Sequence, residues 1–213
     1  MSYNGNTTTF SGGTTAGTYA EMYISSSQTI TINAASAWTG MGEWTAGDVS
    51  GFTIILGDGP RTSTFSSTSS GSGGITVSSL THNLAVDDWV TLEGSDDYDG
   101  VYKITAATSD DFNVEADDII SNSGNWTRCG GFAQSTATGR HLFVWNISAA
   151  AAMGNKDYEF AVFIGNIDNT AVLTEPRSAR NYGNTSIGNA GGSLIHDVES
   201  GDTILLLMRG TTD

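Results

Sequence analysis

The chain has 213 residues, with 27 glycines, only 2 prolines, and short aliphatic and aromatic runs set among Ser, Thr, Asn and Asp. That is the punctuation of many strands and turns, so an all-β fold almost without helix is expected. Its 23 acidic residues against 8 basic ones give a formal net charge of -15, which excludes a phosphate backbone or an anionic membrane as a partner, because both need clustered Lys and Arg.

The opening MSYNGNTTTFSGGTTAG has neither a basic start nor an apolar stretch, so no signal peptide is expected and synthesis in a cytoplasm is. No run approaches the roughly 18 apolar residues of a membrane span. Residues 1–17 carry almost no aliphatic side chain and read as an extended N-terminal arm, either a disordered leader or a segment that orders against a partner. Period-2 alternation starts at Tyr19 in YAEMYISSSQTITI, which reads as two strands and a turn. Trp38 and Trp44 flank a glycine-rich turn, and FTIIL (52–56) is a continuous apolar run of the kind found in a sandwich core.

Residues 57–74, GDGPRTSTFSSTSSGSGG, have the composition of a flexible connector and mark a domain boundary. Beyond it WVTLEG and GVYKITAA are strands joined by the acidic turn Ser95–Gly100, inside a small antiparallel β-unit. After Gly130-Gly131 come GRHLFVWNI, YEFAVFIGN and SLIHDVESGDTILLLM, three further strand signatures. The short run SAAAAM (148–153) lies between two of them and reads as a wide loop or a single turn. No repeat of fixed period is present.

Few constellations invite chemistry. The turn Asp96-Asp97-Tyr98-Asp99-Gly100 is similar to a calcium loop, with Asp97 and Asp99 as the only candidate metal ligands. The twelfth position then falls on Ala106 where a bidentate glutamate is needed, so a hairpin turn with solvated carboxylates and a glycine at positive φ is the expectation. His82, His141 and His196 belong to no H-x-H or H-x-x-x-H pair and read as structural, His82 by hydrogen-bonding the backbone of a following turn. Cys129 cannot form an internal disulfide and reads as a small core or interface residue. There is no G-x-S-x-G elbow, and acidic pairs such as Asp87-Asp88 are loop neighbours, so neither nucleophilic catalysis nor glycoside hydrolysis is expected: no catalytic residue, no cofactor. Trp89 lies in an alternating strand and reads as buried, whereas Trp38, Trp44 and Trp126 lie near loops and are candidates for ligand contact, for instance by stacking on sugar rings.

AEMYI, GRHLFVWNISAAAAMGNKDYEFAVFIGN and the closing VESGDTILLLM resemble the TNF/C1q-like jelly roll of bacteriophage fibre and decoration proteins, with Gly165-Asn166 where Asn-Gly is commoner. The stretch from His82 to Val114 resembles a small β-unit of phage virion proteins, with an H-x-L-x-x-x-D-x-V opening, a Y-D-G-x-Y-x-I hairpin and a D-x-F-x-V close. The resemblance implies an N-terminal arm (1–17), a jelly-roll β-sandwich built from 18–56 and 130–213, and an inserted small β-domain at 57–129. It also implies a homotrimer, with Phe143, Trp145, Tyr158, Phe160 and Phe163 as interface candidates, because they supply more large apolar faces than one sandwich needs. The function implied is that of a capsid decoration or head-fibre protein. It would sit on the outer virion surface, bound to the major capsid protein or another virion protein through arm residues such as Tyr3 and Phe10. The rival reading is a tail-tip receptor-binding module recognising host surface glycans. A third, a secreted glycosidase or lectin of cellular origin, calls for turnover or a signal sequence.

Overall fold

In the computed structural model the described residues are 7–12, 18–25, 38–41, 44–56, 62–71, 74–95, 98–116, 122–149, 156–165, 171–173, 178–182 and 188–211. They contain strands and no helix. The first group is β1 (Thr7–Gly12), β2 (Tyr19–Tyr23), β3 (Thr39–Gly40), β4 (Thr45–Ser50) and β5 (Phe52–Leu56). The middle group is β6 (Thr62–Phe65), β7 (Ser67–Gly71), β8 (Gly74–Ser78), β9 (Trp89–Glu93), β10 (Gly100–Ala107), β11 (Asp111–Val114) and β12 (Gly124–Arg128). The last group is β13 (Gly131–Ser135), β14 (Gly139–Ala149), β15 (Lys156–Gly165), β16 (Ala171–Leu173), β17 (Ser178–Tyr182), β18 (Gly188–Val198) and β19 (Thr203–Gly210).

The first and last groups build a jelly-roll-like sandwich. One sheet runs β18-β14-β1-β2-β4, the other β16-β15-β19-β13-β5, with β17 on β15 and β3 on β19. From β13 to β19 the longer strands alternate between the sheets, which wraps the chain around one core. The alternation in β14 explains its seat: His141, Phe143, Trp145 and Ile147 face inward and are buried, while Arg140, Leu142, Val144 and Asn146 face outward. Opposite them β15 and β19 contribute Phe160, Val162, Ile164, Ile204, Leu206 and Met208 to the same core.

The middle group pairs among itself in the order β6-β12-β9-β10-β11-β8-β7. The two ends of that sheet, β6 and β7, are one stretch of chain bent at Ser66, so the sheet curls round until it meets itself. Ser66 N–H donates to Ser78 O (3.0 Å) and Ser79 Oγ–H to Thr64 O (2.9 Å) across the seam. The result is a small barrel filled by Phe65, Val77, Leu92, Ile104, Phe112 and Trp126 among others.

Three expectations are corrected here. The supposed arm contains β1, an interior strand hydrogen-bonded to β14 on one side and β2 on the other; its hydroxyl-rich sequence suits a strand flanked by neighbours that supply the apolar bulk. The backbone of Phe10 pairs with Phe143 of β14 and Ala20 of β2, and Tyr3 lies outside the described residues. The supposed flexible connector supplies β6 and β7, with Phe65 and Thr68 turned into the barrel. Of the SAAAAM run, Ser148 and Ala149 complete β14, and the remainder lies outside the described residues.

Candidate functional site

The motif residues of the barrel account for its shape. His82 is buried; Leu84 N–H donates to its Nδ1 (2.9 Å), and its Nε2 lies 3.2 Å from Asp111 O. An amide can only donate and a carbonyl can only accept, so the proton sits on Nε2, and the ring staples the loop after β8 to β11. Asp88 accepts from Ala85 N–H (2.9 Å) and from Arg128 (2.9 Å), in a largely buried ion pair that ties this loop to the end of β12. Leu84 and Val90 fill the barrel core. Thr81, Asn83 and Asp87 all have positive φ, and these cross-links hold that costly backbone in place.

The acidic turn has the same character. Asp99 Oδ1 accepts from Ser95 N–H (2.9 Å) and Ser95 Oγ–H (3.0 Å), and Ser95 Oγ accepts from Tyr98 N–H (3.0 Å). This is a closed set of turn hydrogen bonds around a Tyr98 that is itself core. Asp97 lies outside the described residues, and no group of three or more His, Cys, Asp or Glu is placed to hold a metal among the described residues. The glycine at positive φ is Gly94 (φ 73), not Gly100, whose Cα is covered by the Tyr102 ring instead.

The aromatic candidates are spent inside one chain. Phe143, Trp145 and Phe160 are buried in the sandwich core, and Tyr158 is packed half-buried against it. Phe163 points the other way, with Ala161, Leu205, Leu207 and Phe132, onto the barrel residues Trp89 and Val101. The surplus apolar face read from the sequence as a subunit interface is therefore covered by the inserted barrel of the same chain. Cys129 sits in this weld, and burial pushes its thiol up to about 12. Of the ligand-contact candidates, Trp44 is buried in the sandwich. Trp126 is 1% exposed in the barrel, with its Nε1–H donating to Ser79 Oγ (2.9 Å). Trp38 is half-buried, edge-on to Phe163 (5.0 Å between centroids), with the Arg209 guanidinium 4.7 Å over its ring. Two of the three are thus buried, and Arg209 lies over the ring of the third.

Large hydrophobics are exposed at Leu56, Leu80 and Val86, and on the outer face of the β14 sheet they line up in a strip. Leu142 is directly opposite Ile195, and Val144 is the next outward residue on β14; their exposures are 38%, 64% and 41%. Tyr19, also exposed, stands opposite Ser11 on β1, which in turn pairs with Leu142, so one row crosses β18, β14, β1 and β2. Arg140 and Asp197 form a two-pronged ion pair beside this strip (2.9 and 3.0 Å), which holds the Asp197 carboxyl below the usual carboxylate range. Sequence reasoning missed this strip because it credited the inward residues of β14 rather than the outward ones. The signal was there in Leu142 and Val144, two aliphatics at positions where a solvated face wants polar residues.

No family model, no curated protein and no solved structure matches this chain. The fold therefore defines the class on its own terms: an all-β protein in which a jelly-roll-like sandwich carries a nearly closed, barrel-like β-unit inserted between two of its strands.

Proposed function

We propose that the protein is a non-enzymatic structural component of a bacteriophage virion, a homotrimeric capsid decoration or head-fibre protein seated on the outer coat. The observation that carries this reading is the open apolar strip of Tyr19, Leu142, Val144 and Ile195, which lie in register across the outer face of the β14 sheet. A rigid, strongly acidic body with one greasy sheet face is suited to meeting copies of itself there and turning its charge to the medium. The virion motifs of the sequence support the particle context, and the motif residues His82, Leu84, Asp88 and Asp99 serve the fold of the inserted unit. Burial of Trp44 and Trp126, and the Arg209 guanidinium over Trp38, favour this reading over glycan binding through those side chains.

Two measurements test it. Sedimentation of the purified chain is expected to give a trimer that Ile195→Asp converts to a folded monomer; a wild-type monomer at micromolar concentration overturns the assembly. Imaging of particles made with and without the protein is expected to show many copies lost from the head, and loss confined to a tail tip overturns the placement.

A further inference from the structure

His141 is buried in the sandwich with both ring nitrogens unmatched. It is 2% exposed, and among the described residues neither Nδ1 nor Nε2 has a hydrogen-bond partner. Its ring is packed edge-on to Phe52 (5.2 Å) and tilted against Phe143 (6.4 Å). On either side the register offers little cover: Gly12 on β1, which has no side chain, and His196 on β18, which is exposed at the sheet edge.

Among the described residues, the strands that flank or face it bring no countercharge to the ring. The sequences of β1, β5 and β13, which flank or face it, contain no ionisable residue. On β14 Arg140 faces outward and is committed to Asp197 of β18; the Asp202 carboxylate accepts from Glu199 N–H while Asp202 N–H donates to Glu199 O, which closes the β18–β19 turn, and the Glu199 side chain is exposed to solvent. That leaves His196, itself a base, directly opposite with about 5 Å between Cβ atoms.

We propose that His141 is an acid-sensitive latch on the seam where β1 joins β14, closed while the imidazole is neutral and opened by its protonation. An imidazolium has no acceptor in this site among the described residues, so the proton is accommodated only by letting the ring reach water. Burial lowers the basicity of His141 from its ordinary 6.5. The sign follows: the unfolded chain binds the proton more readily, so stability is full above pH 6.5 and is lost as pH falls below it, towards the lowered folded-state value. Because the ring sits at the end of β1, the first segment to loosen is the β1–β14 pairing rather than the barrel.

The experiment compares the full-length protein with His141→Phe and His196→Ala between pH 7.5 and 5.5, by urea unfolding and by hydrogen exchange corrected for the intrinsic pH effect. The wild-type folding constant is expected to drop relative to that of H141F by up to about tenfold at pH 5.5. Exchange should quicken first in residues 7–12 and 139–147. Equal pH profiles for wild type and H141F overturn the latch. So does a profile flattened by H196A alone, which would assign the titration to His196. Should H141F not fold, the exchange map of the wild type decides: acid-induced opening that begins in the barrel sinks the proposal.

Discussion

Trp89 of the barrel lies directly over the Cα of Gly165 in the sandwich: a Cβ built on that glycine would fall 2.3 Å from Cη2 of the indole. The glycine matters here for approach, since it lets a six-membered ring lie on β15 and bring β9 down onto the sheet, with Val101, Phe163 and Leu205 closing around it. Two hydrophobic cores are thereby joined by a third, and the chain should unfold as one cooperative body.

Gly165→Val is expected to push the indole off the sheet at a cost of about 3 kcal/mol and to split a single calorimetric transition into two. Retention of one transition at the wild-type temperature would show that the weld does not couple the units.

Removal of residues 2–17 is expected to unfold the sandwich rather than trim it. β1 shares its hydrogen bonds with β14 and with β2, so its loss leaves two interior strand edges unpaired. Circular dichroism and proteolysis of the truncated chain check this; a protease-resistant, native-like product would contradict the placement of β1.

His82→Ala takes from Leu84 N–H its acceptor in a buried loop and from Asp111 O one of its donors, Thr108 N–H remaining, and is expected to destabilise the barrel by about 2 kcal/mol. Urea unfolding followed by tryptophan fluorescence measures it, since Trp126 reports from the barrel core.

The Cys129 thiol, pushed up to about 12 by burial with Asp88 adding to the effect, holds its proton more tightly folded than unfolded. Stability linked to it is full below pH 9 and declines as pH rises towards 12. Cys129→Ala is expected to flatten that alkaline decline, and iodoacetamide at pH 8 should label the wild type only on unfolding.

Much of the strand content was legible because alternation is a local signal: GRHLFVWNI, WVTLEG and TILLLM are strands in the fold as in the sequence. Three strands, β1, β6 and β7, escaped notice for a physical reason. β1 and the β6–β7 stretch are made of Thr, Ser and Gly, which carry no apolar signal of their own and become strands because neighbours on both sides supply partners. The acidic turn and the H-x-L-x-x-x-D-x-V opening were recognisable as patterns, but which oxygen met which amide was decided only in the folded loops.

The amino-acid order by itself determined an all-β chain, its acidity and an excess of apolar residues on the strands from Phe160 to Gly165 and from Ile204 to Met208. Only the tertiary structure decided what covers that excess. An apolar run buried on both faces looks the same whether a second subunit or an inserted domain lies against it, because burial removes water without recording whose side chain took its place. In this chain the covering side chains are Trp89 and Val101, brought from a barrel that starts and ends between two strands of the sandwich, and the face left open moved to Leu142, Val144 and Ile195.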